Sequence, residues 1–313
     1  MRILVTGGTG FIGRALIGHL IDYGQNVRTL IRPSTSSPNL PKGVPIDVTV
    51  SSLHDERGLR AAMVGVDGIY HLASGEWRGT QASLMDIDIK GTRAVVEAAR
   101  DAGVKHIYYI SHLGADRASA FPVFKAKAIA EEIIRRSGIN YTILRSAVIF
   151  GQNDGFTTGL SSIMSAFPYF FLIPGNGKTL LQPLWVEDLT ACITWILDDS
   201  EFTNRTIEIG GPEYLQFSHI LELIMEITGL KRRIVGVRPP YIRALTVFLE
   251  SFFPNLPVSV YWIDYLAANR TCGLDTMPRT FNLMPSRFSQ RLDYLEGIDW
   301  RGALARSLLQ RSR

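Results

Sequence analysis

Gly7, Gly10 and Gly13 stand at G-x-x-G-x-x-G spacing between a short apolar run, residues 2–5, and a segment, residues 14–23, whose Leu16, Ile17 and Leu20 recur at helical spacing. A buried strand, a glycine turn and a helix in that order can hold a dinucleotide diphosphate. Gly7 permits the tight turn, Gly10 lets a pyrophosphate approach the backbone, and Gly13 lets the helix pack closely on the strand. The orphan N–H groups at the helix start then face the phosphates. The next chemically telling place is the end of a second strand, read over residues 26–32. In NAD-specific dinucleotide folds an acid there bonds the adenosine ribose 2′-hydroxyl; here Arg32 holds the place, with Ser34 and Thr35 nearby. A guanidinium suits a 2′-phosphate, and no carboxylate is left to repel one. NADP(H) is therefore the expected cofactor, with NAD(H) as the alternative.

Other candidates sit at strand ends. Residues 68–74 read as a strand closing on Leu72, Ala73 and Ser74, which are placed to lie against the nicotinamide half of such a cofactor. His71, inside that strand, is expected to be a packed, hydrogen-bonded histidine and not a base, because histidine is often structural when buried. Residues 104–111 end on Ser111, at the carboxyl edge where open α/β sheets bind ligands. His112 follows it, read as a solvated loop residue or, in an enzyme, a proton source. Cys192 and Cys272 are too far apart for a ligand motif and too few for a disulfide scaffold, so no metal site is expected and the usage fits a reducing compartment.

The elements that position these residues alternate from the start to about residue 150: strands at 46–50, 68–74, 104–111 and 141–145, and helices near 59–63, 89–102 and 121–138. That alternation implies an α/β fold, a Rossmann doubly wound parallel sheet over residues 1–150, with a smaller, mostly helical, substrate-type region over 151–313. Segments near 180–212 are expected to return to the first domain. In the second half, residues 156–173 read as one aromatic-rich helix, and Ser218 as the cap of a helix running to Thr228. Residues 235–268 are unusually aromatic. Leu245, Phe248, Leu249, Phe252 and Phe253 read as core, as a pocket or dimer face, or as a membrane-surface contact beside Lys231, Arg238 and Arg243.

The chain has 313 residues, 46% of them hydrophobic and 20% charged, which suits a folded globular protein. The net charge of +4 is not gathered into a tail beyond residues 231–233 and the terminal arginines, so nucleic acid is not an expected partner. With the first strand read at the N-terminus, no leader is expected, and no apolar run is long enough to span a bilayer. A cytoplasmic location, peripheral to a membrane if the aromatic region meets lipid, is the expectation.

With these residues in view the sequence resembles the extended and atypical short-chain dehydrogenase/reductase superfamily, the NAD-dependent epimerase/dehydratase-like proteins, along nearly its whole length. The landmarks are Thr6-Gly-Gly-Thr-Gly-Phe-Ile-Gly13, residues 68–74, Asp88-Ile-Lys-Gly-Thr92, residues 144–151, Trp185-Val-Glu-Asp188 and residues 207–212. Ser137-Gly-Ile-Asn-Tyr-Thr-Ile-Leu-Arg145 is most similar to the atypical branch containing the Rossmann-type accessory subunit of respiratory complex I, NmrA-like proteins and photosystem-assembly proteins. The resemblance implies a cofactor site drawn from Gly7, Thr9, Gly10, Phe11, Ile12, Gly13, Arg32, Leu72, Ala73, Ser74, Ser111 and Lys127. It also implies catalysis by a Tyr-x-x-x-Lys pair, in which lysine lowers the phenol pKa and holds the nicotinamide ribose while tyrosine moves a proton, with a serine orienting substrate. Ser111 and a lysine are present here. Four residues before Lys127 stands Val123, and four before Lys125 stands Phe121, so neither register supplies a phenol. Lys127 is preferred because its distances to Glu131 and Arg145 match the family spacing.

Two functions follow from this. The first is an NADP(H)-binding accessory, assembly or redox-sensing factor without ordinary dehydrogenase turnover, partnered by a protein or a membrane-surface complex. The alternative is an NADPH-dependent reductase or epimerase/dehydratase-like enzyme on a carbonyl or quinone-like substrate, protonated by water, His112 or a residue of the second half.

Overall fold

The structure, a computed structural model, describes residues 1–34, 37–76, 79, 83–197, 199–252, 257 and 259–310; Thr35 and Phe253 lie outside them. Two compact units result: Met1–Gly75, Ser83–Ser146 and Val186–Ile209 form one, and Glu76–Ala82, Ala147–Trp185 and Gly210–Arg313 the other.

The first unit begins with β1 (Arg2–Thr6), α1 (Phe11–Asp22), β2 (Asn26–Ile31), β3 (Asp47–Val50), α2 (Glu56–Met63) and β4 (Gly68–His71). A π-helical turn, Met85–Lys90, then runs into α3 (Gly91–Asp101), followed by β5 (His106–His112), α4 (Pro122–Arg135) and β6 (Asn140–Ser146). The chain passes through β7 (Ile149–Phe150), α5 (Thr157–Ala166), β8 (Phe170–Pro174), β9 (Leu180–Leu181) and β10 (Leu184–Trp185), and returns with α6 (Val186–Trp195) and β11 (Arg205–Ile209). The order β11-β6-β5-β4-β1-β2-β3 makes a seven-stranded sheet, with every neighbouring pair parallel. Order reverses between β1 and β4, so the crevice beyond their carboxyl ends is the topological switch point.

Both sheet faces are dry, as a parallel sheet requires. Leu4, Leu30, Ile69, Ile107 and Ile143 pack on one face with Leu59, Val95, Ala99 and Ile134 of α2, α3 and α4. Leu16, Ile17 and Leu20 of α1 and Leu189 and Ile193 of α6 are also fully buried, and the Tyr70 hydroxyl donates to the Ile193 carbonyl at 2.5 Å. Each such side chain contributes roughly 1.5–3 kcal/mol by leaving water.

The second unit continues with β12 (Leu215–Gln216), α7 (Phe217–Thr228), β13 (Arg233–Val237), α8 (Pro239–Phe252), α9 (Val260–Tyr265), α10 (Thr276–Phe281) and α11 (Trp300–Gln310). Its strands form three separate pairs, β10 with β7, β12 with β9 and β13 with β8. Residues 156–173 are therefore not one helix: α5 stops at Ala166, and Phe170–Pro174 is a strand paired in parallel with Arg233–Val237. Pro168, which lacks an N–H and disfavours helix in the residue before it, separates the two. Ser218 is likewise not the cap of α7. Gln216 is, and the Ser218 N–H bonds the Gly177 carbonyl inside the first turn. The aromatic run splits, with Tyr261 and Tyr265 buried and Tyr241, Phe248 and Phe252 exposed. Among the described residues no helix is long and apolar enough to cross a membrane.

The tightest backbone approach is testable. A Cβ on Gly13 would lie 2.3 Å from the Gly7 carbonyl oxygen and 2.7 Å from the Gly8 Cα, and neither is a flexible side chain that can yield. Gly13→Ala should destabilise the chain by about 1–3 kcal/mol in urea unfolding, whereas an unchanged midpoint would show that the turn has room for a methyl.

Candidate functional site

At the switch point the backbone forms an open cradle. Gly7 has φ +74°, and a Cβ there would sit 2.7 Å from the Leu72 carbonyl carbon and 2.8 Å from the Ala73 nitrogen. Only a residue without a side chain lets the two strand ends meet this closely. α1 starts at Phe11 with Gly10 as its N-cap, no side chain caps it, and no acidic residue occupies its first turn. Its first N–H groups are thus left for an outside anion. Thr9 and Gly10 are exposed, and Phe11 and Ile12 half-buried. These features fit a dinucleotide diphosphate. The Arg14 guanidinium folds back to the Thr9 carbonyl at 2.9 Å, and burial lowers its pKa. Sequence reasoning passed over Arg14, although a cation directly behind Gly13 was the available signal.

The 2′-phosphate candidate lies on the adjacent strand. The register pairs Thr6 with Leu30, so Arg32 follows β2 beside the glycine turn, and both Arg32 and Ser34 are exposed.

The other half of the site is a buried polar network. Lys127 on α4 is nearly fully buried, and its Nζ lies 3.6 Å from Asp88 Oδ1 and 5.5 Å from the centre of the Tyr109 ring. Lys125 is exposed. Asp88, carried inward by the π-helical turn, accepts from Ser74 Oγ at 2.7 Å and from the Gly75 N–H at 3.0 Å. Ser74, Asp88 and Lys127 are thereby brought together, and π-bulges of this kind are frequent at functional sites. In the sequence Asp88 stands out only as the start of the Asp88–Thr92 landmark. Its partner lies on a distant helix, so nothing local in sequence revealed the pairing.

From Asp88 the network runs back to the cradle. The Thr92 hydroxyl donates to the Asp88 carbonyl at 2.5 Å, so it accepts from His71 Nε2 at 2.9 Å, and His71 Nδ1 accepts from Thr6 Oγ1 at 2.8 Å. Those roles assign His71 as the Nε2–H tautomer. Burial first, then the Lys127 charge, push its pKa down to about 3. At neutral pH it is a neutral packed group, and it carries no titratable proton near pH 7.

Ser111 is drawn into a second cluster. In the β5–β6 register it stands opposite Arg145, and its hydroxyl is buried beside the Glu131 carboxylate without completing a hydrogen bond of good geometry. Arg145 bonds Glu131 through Nε at 3.0 Å and through a terminal nitrogen at 2.7 Å. Burial alone would raise the Glu131 pKa, but Arg145, Ser111 and Arg135 outweigh it and hold the carboxyl below its ordinary value. Val123, where the resemblance implies a phenol, is buried on the first turn of α4, and Phe121 is that helix's N-cap. Neither can pass a proton.

The pattern of the NAD(P)H-binding family matches residues 7–164. A mitochondrial protein of Arabidopsis thaliana, NADH dehydrogenase [ubiquinone] 1 alpha subcomplex subunit 9, is 28% identical over 262 residues, which cover 81% of this chain and 64% of that one. The chain thus spans a little under two thirds of that relative's length. Photosystem II assembly factor Ycf39 of Cyanophora paradoxa is 30% identical over 250 residues, covering 76% of this chain and 72% of that protein. The solved triphenylmethane reductase of Citrobacter sp., complexed with NADP(H), superposes with a TM-score of 0.71 at 22% identity, covering 94% of this chain and 100% of that one. At that identity the likeness is one of fold.

Two outcomes follow from the buried charges. Lys127→Met leaves Asp88 buried without its cation and should cost about 3–5 kcal/mol in urea unfolding, with much of the loss recovered in Lys127→Met/Asp88→Asn. Equal losses in the single and double variants would mean that the pair carries no such coupling. The second outcome concerns pH. Below the ordinary value of 6.5 the unfolded chain's histidines take up protons that native His71, lowered to about 3 by burial and Lys127, and native His106, lowered to about 4 by burial, refuse. Each therefore draws stability down as pH falls, by at most about 1.4 kcal/mol per pH unit. His19, raised chiefly by its bond to Glu187, contributes fully below 6.5 and adds no slope there. Asp154, in the other unit, is pushed up to about 6 by burial and opposes them with one proton. Stability measured at pH 7 and pH 5 should be lower at pH 5, and a rise would contradict these assignments.

Proposed function

Because the chain belongs to the NAD(P)H-binding family, we propose that it holds NADP(H) on the Gly7–Gly13 turn and acts as an accessory, assembly or redox-sensing factor without ordinary dehydrogenase turnover. One observation carries the reading: the cradle is open and uncapped, while the position implied for the proton-transferring phenol is a buried valine and Lys127 is tied to Asp88. The α1 amides would hold the diphosphate and Arg32 the 2′-phosphate. Leu72, Ala73 and Ser74 would flank the nicotinamide half, with Lys127 next to its ribose. When bound, the cofactor supplies or accepts a hydride. On this reading neither Val123 nor Phe121 could move the matching proton. A dinucleotide that binds only the folded chain would also stabilise it, by about 2.7 kcal/mol at a hundredfold excess over Kd.

Two relatives support a non-catalytic role through their names alone, one a subunit of an NADH dehydrogenase and the other an assembly factor. By the same likeness this chain's partner would be a larger protein complex.

Fluorescence titration with NADPH, NADP⁺, NADH and NAD⁺, followed by assays of NADPH oxidation with aldehydes, ketones and quinones, tests the reading. Tighter binding of NADP(H) than NAD(H), a loss of about tenfold in NADP(H) affinity in Arg32→Ala with NAD(H) unaffected, and no substrate-dependent oxidation are expected. Equal affinities insensitive to Arg32→Ala would refute the 2′-phosphate assignment. Turnover abolished by His112→Ala would replace the accessory role with the reductase alternative.

A further inference from the structure

The second unit contains an apolar cavity with a free volume of ≈ 120 Å³. Phe156, Phe171, Phe217, Ile242, Leu249 and Trp262 are among its walls, and Thr246 and Ser259 are the only hydroxyl-bearing residues among the described residues that line it. A cavity of about 150 Å³ with such walls stays dry and takes benzene, so this one suits a single ring or about six carbons of a chain.

The cavity opens onto an apolar surface. Leu245 and Phe167 line it and are also 43% and 40% exposed. On α8, Tyr241, Leu245, Phe248 and Phe252 recur at i, i+4, i+7 and i+11, with the other three 67%, 55% and 66% exposed. The Phe248 and Phe252 rings lie 4.6 Å apart between centres, tilted 40° to one another. On β8, Phe170 is exposed and shares a strand face with Leu172, which lines the cavity. A run of large side chains standing in water along one helix face marks an interaction surface.

Charge decides what meets it. Residues 231–249 contain five basic residues and no acidic one. Arg232 bonds the Met164 carbonyl and Arg243 pairs with Asp264. Lys231 and Arg233 share a shallow groove with Glu222 and Glu226. Arg233 stands opposite Phe170 in the β13–β8 ladder, and Arg238 immediately precedes α8; both are exposed. A second copy of the chain packed face to face would set these cations against their equivalents. An anionic bilayer offers phosphates to the arginines and hydrocarbon to the aromatic stripe.

We propose that α8 lies in the headgroup layer of an anionic phospholipid bilayer, with its exposed stripe turned to the hydrocarbon and the adjoining cavity taking the end of one acyl chain. This does not depend on the dinucleotide reading. The test is co-sedimentation of the full chain with phosphatidylcholine vesicles, with and without phosphatidylglycerol, together with tryptophan quenching by lipids brominated near the chain end. Binding should require the anionic lipid, weaken with salt, and produce quenching that is lost in Trp262→Phe. Phe248→Ser/Phe252→Ser should lower vesicle partitioning by about tenfold or more while leaving NADPH binding and melting temperature unchanged. Absence of vesicle binding, binding indifferent to phosphatidylglycerol or to the serine variant, quenching that persists without Trp262, or a stripe-dependent dimer by light scattering would each overturn the proposal.

Discussion

Where β1 and β4 end, Gly7 runs against the Leu72 carbonyl at a distance that a methyl group would close to 2.7 Å. That contact sets the direction in which α1 leaves the sheet and therefore where its unpaired amides point. It also fixes the start of residues 72–74, whose Ser74 hydroxyl reaches Asp88 and, through Asp88, Lys127. The proposed diphosphate and nicotinamide ends of the site would thus be anchored to one backbone contact, and the reversal of strand order at β1 and β4 puts that contact at a crevice instead of inside a continuous surface.

The rest of the site's character is electrostatic. An ammonium and a carboxylate at 3.6 Å, both nearly fully buried, neutralise each other in a place where either alone would be strongly unfavourable. The same ammonium helps keep His71 neutral, and neutral His71 completes the chain of hydrogen bonds from Thr6 to Asp88. Such a network, satisfied at each link, stiffens the floor of the site. Within it, His71 is neutral near pH 7. Val123, on the first turn of α4, adds a buried hydrocarbon at the position where the resemblance implies a phenol. On the proposed reading this chain would keep recognition of the dinucleotide without the ordinary means of proton transfer.

Much of this was legible in sequence because it is local. The glycine spacing, the strand before it and the helical periodicity behind it lie within one short segment, and the alternation of apolar strands and amphipathic helices announced the parallel sheet. That a valine stands four residues before Lys127 was legible as well, by counting back. What stayed hidden depends on partners far along the chain. Phe170–Pro174 is apolar on every side and reads equally as helix until Arg233–Val237 supplies its ladder. Asp88 points inward because of a π-helical turn, which leaves no periodic signature, and its meaning comes from Lys127. The aromatic run after residue 235 could not be sorted by composition, since Tyr261 and Tyr265 are core while Phe248 and Phe252 stand in water.

On this reading the amino-terminal turn would retain its dinucleotide while the acid/base position beside it has become apolar. A crystal structure of the full chain soaked with NADP⁺ tests this most directly. The expected result is the diphosphate on the α1 amides, Lys127 at the nicotinamide ribose, and hydrocarbon from Val123 where a phenolic oxygen would otherwise approach the nicotinamide ring. A turn without nucleotide, or a hydroxyl from elsewhere in the chain held within hydrogen-bond reach of a substrate atom above the nicotinamide C4, would contradict it.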